Sequence, residues 1–136
     1  MFKVELRIHD KIDGRVVPMG PLLVSIGRLR PKLLTGTWTI AKGAYGYGEK
    51  ICSIEDSLTN TDTLEIEGEH LFPILEAGDE YFYSVSMSKK DSNLELGLFD
   101  SSYLLVKGPW ELLNRLAKDY HDTELLNNAD RASMRK

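Results

Sequence analysis

Three glutamates at alternate positions, Glu65, Glu67 and Glu69, are the densest group of chemically capable side chains in the sequence. Paired carboxylates do acid–base work when burial raises one of their pKa values. On a strand this spacing would line all three along one face, with Asp62, Glu76, Asp79 and Glu80 near them in the chain. Alternation with Leu64 and Ile66 also writes a strand whose carboxylates stand in water, and that surface reading is preferred to catalysis. No DxDxDG-type calcium loop occurs. His9, His70 and His121 lie far from one another in sequence, so no ligand pair at three- or four-residue spacing exists, and surface or capping roles are expected for them. Cys52, between Ile51 and Ser53, reads as a small buried hydrophobe because no nucleophile signature surrounds it. The run Gly43-Ala44-Tyr45-Gly46-Tyr47-Gly48-Glu49-Lys50 fits neither GxGxxG nor GxxxxGK[ST]. It is expected to be a flexible hairpin loop presenting Tyr45 and Tyr47, a residue type suited to contacts. No catalytic set, metal site or cofactor is expected.

Charge patterning says more than the net charge of −4. Residues 1–50 hold nine Lys/Arg and four Asp/Glu, whereas residues 51–80 hold nine Asp/Glu and no Lys or Arg. A single-sign block creates a local field that can meet a basic partner. The acidic balance argues against a dedicated nucleic-acid binder. So does the strand Tyr81-Phe82-Tyr83, whose aromatics are preceded by Asp79 and Glu80 and separated by serine, without interleaved cations. With one cysteine in 136 residues there is no intramolecular disulfide, and no apolar run long enough for a secretory signal or membrane helix, so a cytoplasmic setting is the expectation.

The elements that would position these residues follow from periodicity. Phe2-Val4-Leu6-Ile8 alternates with polar residues as a strand; Asp13-Gly14 turns it towards Val16-Val17, an N-terminal hairpin. Leu22 to Arg30, ended by Pro31, is expected to be a strand, as is Thr35 to Ile40. Residues 53–58 suggest a short helix, Thr63–Glu67 a strand, and Glu69–Glu76 one or two helical turns weakened by Pro73. Tyr81-Tyr83-Val85-Met87, Leu94-Leu96-Leu98 and Tyr103–Val106 form three strands joined by polar turns, an antiparallel meander. Tyr81 and Tyr83 would share one face with Val85 and Met87. Gly108-Pro109 opens an amphipathic helix with Trp110, Leu113, Leu116, Ala117 and Tyr120 on its buried face, and Trp38 and Trp110 are both expected in the core. The expected fold is α+β, mostly antiparallel sheet built from hairpin and meander, with one main C-terminal helix packed on it. Residues 1–122 form a single domain and 123–136 a tail, loosely attached or a short helix.

The segment Leu96-Gly97-Leu98-Phe99-Asp100-Ser101-Ser102-Tyr103-Leu104-Leu105-Val106, followed by a helix and Tyr120-His121-Asp122, resembles small bacterial immunity proteins of polymorphic toxin systems. The resemblance covers about a third of the chain and rests on texture, so no functional residue carries over from it. It implies a non-enzymatic protein that binds and blocks a toxin domain, often a basic nuclease. The expected contact surface is acidic, drawing on Asp62, Glu65, Glu67, Glu69, Asp79 and Glu80, with Tyr45 and Tyr47. The alternative is a small-molecule binder or an unfamiliar enzyme, with a pocket between the sheet and the Pro109–Tyr120 helix. An adaptor whose exposed sheet edge pairs with another chain is a third possibility.

Overall fold

The computed structural model describes residues 4–100 and 102–127. In chain order it contains β1 (Val4–Ile8), β2 (Lys11–Ile12), β3 (Arg15–Val16), α1 (Met19–Leu29), a 3-10 turn (Pro31–Leu34), β4 (Thr37–Ala41), β5 (Tyr45–Tyr47), α2 (Glu49–Ser57), β6 (Thr63–Glu67), α3 (Gly68–Ala77), β7 (Tyr81–Lys89), β8 (Glu95–Leu98), β9 (Leu104–Gly108), α4 (Trp110–Ala117) and β10 (Thr123–Asn127). The α+β class and the antiparallel sheet agree with the sequence reading. Eight strands form one sheet in the order β10-β1-β9-β8-β7-β4-β6, with β5 also on β7, and every pairing is antiparallel.

Alternation decides what each face does. Val4, Leu6, Ile8, Trp38, Ile40, Val85, Met87, Leu96, Leu98, Leu104 and Val106 are buried, and α1, α3 and α4 contribute Leu22, Leu23, Ile26, Leu71, Phe72, Leu112, Leu113 and Leu116 to the same core. Trp38 meets Phe72 edge to face, with ring centroids 4.9 Å apart. The opposite, open face carries Arg7, Ser86, Thr39 and Glu65, and has no helix of the core layer over it.

Several expectations are corrected. Leu22–Arg30 is not a strand but most of α1. Met19, Leu22, Leu23 and Ile26 are buried at three- and four-residue spacing while Pro21, Val24 and Arg28 are exposed, which is helical period. Pro21 is accommodated because a first-turn N–H has no intrahelical partner to lose. The described residues also include four α-helices, and α1 (11 residues) and α3 (10) are both longer than α4 (8). The N-terminal hairpin exists in reduced form. Asp13 and Gly14, with φ of 54° and 81°, join β2 to β3 in a separate ribbon, while β1 pairs with β9 and β10. Residues 123–127 are not a loose tail or helix but an edge strand on β1, with Leu125 packed against the core; 128–136 lie outside the described residues, as does Phe2. Trp110 is half exposed (50%), since α4 buries Leu112, Leu113 and Leu116 instead. Cys52 is exposed, on the outer side of α2 from Ile51 and Ile54.

Candidate functional site

The acidic residues do not gather into one surface. Glu65 and Glu67 project from the open face of edge strand β6, where Glu65 pairs with Lys90 at 2.9 Å and Glu67 accepts the Thr37 hydroxyl at 3.0 Å. Glu69 falls past the end of β6, in the first turn of α3. There its own backbone N–H and that of Gly36 hold its carboxyl below the ordinary carboxylate value. Asp62 is exposed in the turn before β6, and its backbone carbonyl accepts the Lys42 N–H. Asp79 and Glu80 precede β7. Glu80 is half-buried and accepts the Ile51 N–H at 3.1 Å, so it caps the first turn of α2 from outside the helix. Because Lys90 donates its N–H to Thr37, which lies opposite Glu67, the register places Glu67 level with Lys90. Glu80 stands ten residues earlier along the same strand, roughly 30 Å away at ~3.3 Å per residue. The strand break at Gly68 and the length of β7 divide the expected surface.

What the fold does bring together is tyrosine. Residues 45–47 are not a free loop tip but strand β5, lying on the N-terminal half of β7. The approach is so close that a Cβ on Gly46 would stand 2.2 Å from the Tyr81 carbonyl oxygen, and one on Gly48 2.2 Å from the Glu80 carboxylate; only glycine permits it. The register shifts so that Tyr45 opposes Ser84 but Gly46 opposes Phe82. This bulge places an extra residue, Tyr83, in β7 and inverts the alternation beyond it. Phe82 therefore turns into the core, at 5% exposure. Tyr81 leaves the face of Val85 and Met87 that period two predicts for it, and joins Tyr47 and Tyr83 on the open side.

The four rings form a continuous patch. Tyr47 stacks on Tyr81 at 5.4 Å, Tyr81 meets Tyr83 edge-on at 5.5 Å, and Tyr83 lies 6.0 Å from Tyr45. Tyr45, Tyr47 and Tyr81 remain 41%, 58% and 40% exposed. The Tyr45 hydroxyl donates to Asp100 at 2.6 Å, which raises its pKa; a hydrogen bond with Tyr83 does the same for Tyr81. Close to Asp100 in sequence, the Ser102 carbonyl accepts a hydrogen bond from the Lys11 ammonium. Phe99 and Tyr103 form a separate ring contact at 5.2 Å, with Arg7 5.6 Å from the Tyr103 ring centre and His9 bonded to Glu124 at 2.7 Å.

Beside the patch opens a cleft of about 390 Å³, walled by the β2–β3 hairpin, the start of α1, the end of α3 and residues 80–83. None of its lining residues comes from α4, so it is not the expected pocket under the Pro109–Tyr120 helix. Sequence reasoning singled out Tyr45 and Tyr47 but missed that Tyr81, Tyr83 and Asp100 complete the group. The richness of 81–83 in tyrosine was visible, but the bulge that redirects it was not. Among the described residues no cluster of histidine, cysteine and carboxylate suited to a metal occurs, and no helix is long and apolar enough to cross a membrane. Comparison with protein-family models, with curated proteins and with solved structures finds no match.

Proposed function

We propose that this protein is a non-enzymatic binding module of the immunity type, which holds a basic partner protein against the tyrosine patch of its open sheet face. The observation that carries the reading is the group Tyr45, Tyr47, Tyr81 and Tyr83: three solvent-exposed rings and the half-buried Tyr83, already fixed by one another and by Asp100. Tyrosine supplies broad contact area with few rotatable bonds, and it concentrates at the energetic centres of interfaces. A patch ordered before binding loses little entropy on association. The net charge of −4 favours encounter with a basic partner, and the resemblance of the Leu96–Val106 segment to immunity proteins supports an inhibitory role. The carboxylates of β6 act at a distance in this reading, through steering.

The test is a paired capture at low and high salt with the wild-type protein, Tyr47→Ala/Tyr81→Ala and Glu65→Lys/Glu67→Lys. A stoichiometric basic partner should lose at least about tenfold in affinity on tyrosine removal, as for two interface anchors. Charge reversal should mainly slow association and change the salt dependence. A partner held equally well by the tyrosine variant would refute the assignment.

The cleft favours a second reading, binding of a small molecule, because its volume falls in the range of ligand sites. Native mass spectrometry of the purified protein checks it, through a bound mass that Leu98→Trp, a cleft-filling change, removes.

A further inference from the structure

The chemistry of the cleft points to what enters it. Met19, Leu75, Phe82 and Leu98, all buried, form its apolar lining, and Tyr81 and Tyr83 join it to the exposed patch. Glu76 and Glu80 also line it, together with Gly78, the left-handed C-cap of α3. A helix C-terminus carries about half a negative charge. One oxygen of Glu80 accepts the Ile51 N–H, and the second has no hydrogen-bond partner among the described residues. Among the described residues the one cation in the lining is Arg15, on the hairpin wall; the stretch 51–80, which supplies the α3 wall, contains no Lys or Arg.

We infer that the cleft is the anchor pocket for an arginine side chain of the protein partner, an inference that rests on the binding reading above. The methylenes lie along Met19, Leu75 and Phe82, and the guanidinium reaches the carboxylates of Glu76 and Glu80 beside the rings of Tyr81 and Tyr83. Arginine fits because its stem is apolar and its planar, weakly hydrated cation both stacks on tyrosine and pairs with carboxylates. An acidic anchor would meet two carboxylates and a helix C-terminus. An aliphatic anchor would use the walls and gain nothing from the charges or rings.

The test is an NMR titration of the full-length protein with N-acetyl-arginine amide, against the leucine and glutamate analogues at equal ionic strength. The backbone amides of Gly20, Gly78 and Tyr81 should shift saturably with the arginine compound and only weakly with the other two. Glu76→Gln should weaken that binding about two- to fivefold, the range of an exposed ion pair, and added salt should weaken it too. Equal binding of the leucine compound, or no saturable shift at these amides, overturns the assignment. The outcomes separate the two claims. If the arginine compound binds while partner capture ignores Tyr47→Ala, a ring outside the cleft lining, the cleft stands and the tyrosine interface falls. If capture needs the tyrosines while the arginine compound fails to bind, only the anchor pocket falls.

Discussion

Individual side chains show how little their type alone reveals about their place. The two tryptophans occupy opposite environments: Trp38 is fully buried against Phe72, whereas Trp110, the first residue of α4, is half exposed. Emission from Trp110→Phe, which leaves Trp38 alone, should therefore be blue-shifted and resistant to iodide quenching, while the wild type should show a red-shifted, quenchable component. Quenching undiminished in the variant would contradict the burial of Trp38. Asp10 illustrates a polar residue with a structural task. Burial raises its pKa, but the backbone N–H groups of His121 and Asp122, with the charge of His121, outweigh that and leave it lowered. Its carboxylate accepts from His121 at 2.9 Å and from Asp122 at 2.7 Å, at the entry to β10. A group with a depressed folded pKa stabilises above its unfolded value and loses that contribution as pH falls through the folded one. Asp10→Ala should cost roughly 1 kcal/mol near neutral pH, and the difference from wild type in urea unfolding should shrink below about pH 4.

At the scale of elements, periodicity was informative wherever one face of an element is buried and the next element is close in sequence. The meander β7-β8-β9, strand β6 and the amphipathic α4 were legible because local alternation and turn residues specify them. The strand expectation for 22–30 failed through its β-branched, apolar texture, although Met19, Leu22, Leu23 and Ile26 follow helical spacing. β10 was not legible, since Leu125 and Leu126 find their partner in β1, more than a hundred residues away in sequence. It covers one edge of β1, so a chain stopped after Asp122 should lose at least about 2 kcal/mol, from unburied leucine and an opened edge. That truncated protein should also self-associate, which analytical ultracentrifugation would detect. Unchanged stability and a monomeric state would mean that β10 contributes nothing.

For the whole molecule, the interleaving of termini is the governing feature. β1 lies between β9 and β10, and β4 between β6 and β7, so neither half of the chain can complete its sheet alone. Urea unfolding followed by Trp38 fluorescence and by far-ultraviolet circular dichroism should give coincident transitions, as expected of a cooperative unit. Separate midpoints would show that the two ends of the sheet unfold independently. The tyrosine patch sits outside the core that sustains this cooperativity, so Tyr47→Ala/Tyr81→Ala should shift the midpoint little. A change below about 1 kcal/mol is expected for exposed positions, measured by the same unfolding curves.

The sequence by itself determined the class of fold, the short-range strand order and the acidity of residues 51–80, because alternation, turns and charge are local properties. It also singled out Tyr45 and Tyr47 as candidates for contact. Tertiary structure alone decided which groups meet. Strand β6 ends at Glu67, so Glu69 leaves the line of carboxylates, and the length of β7 separates Glu67 from Glu80. One inserted residue in β7, opposite a glycine that allows two backbones to touch, turns Tyr81 and Tyr83 out beside Tyr45 and Tyr47. A one-residue change of register moves every later side chain to the other face, and that register is set by the partner strand, which no local pattern in the sequence encodes.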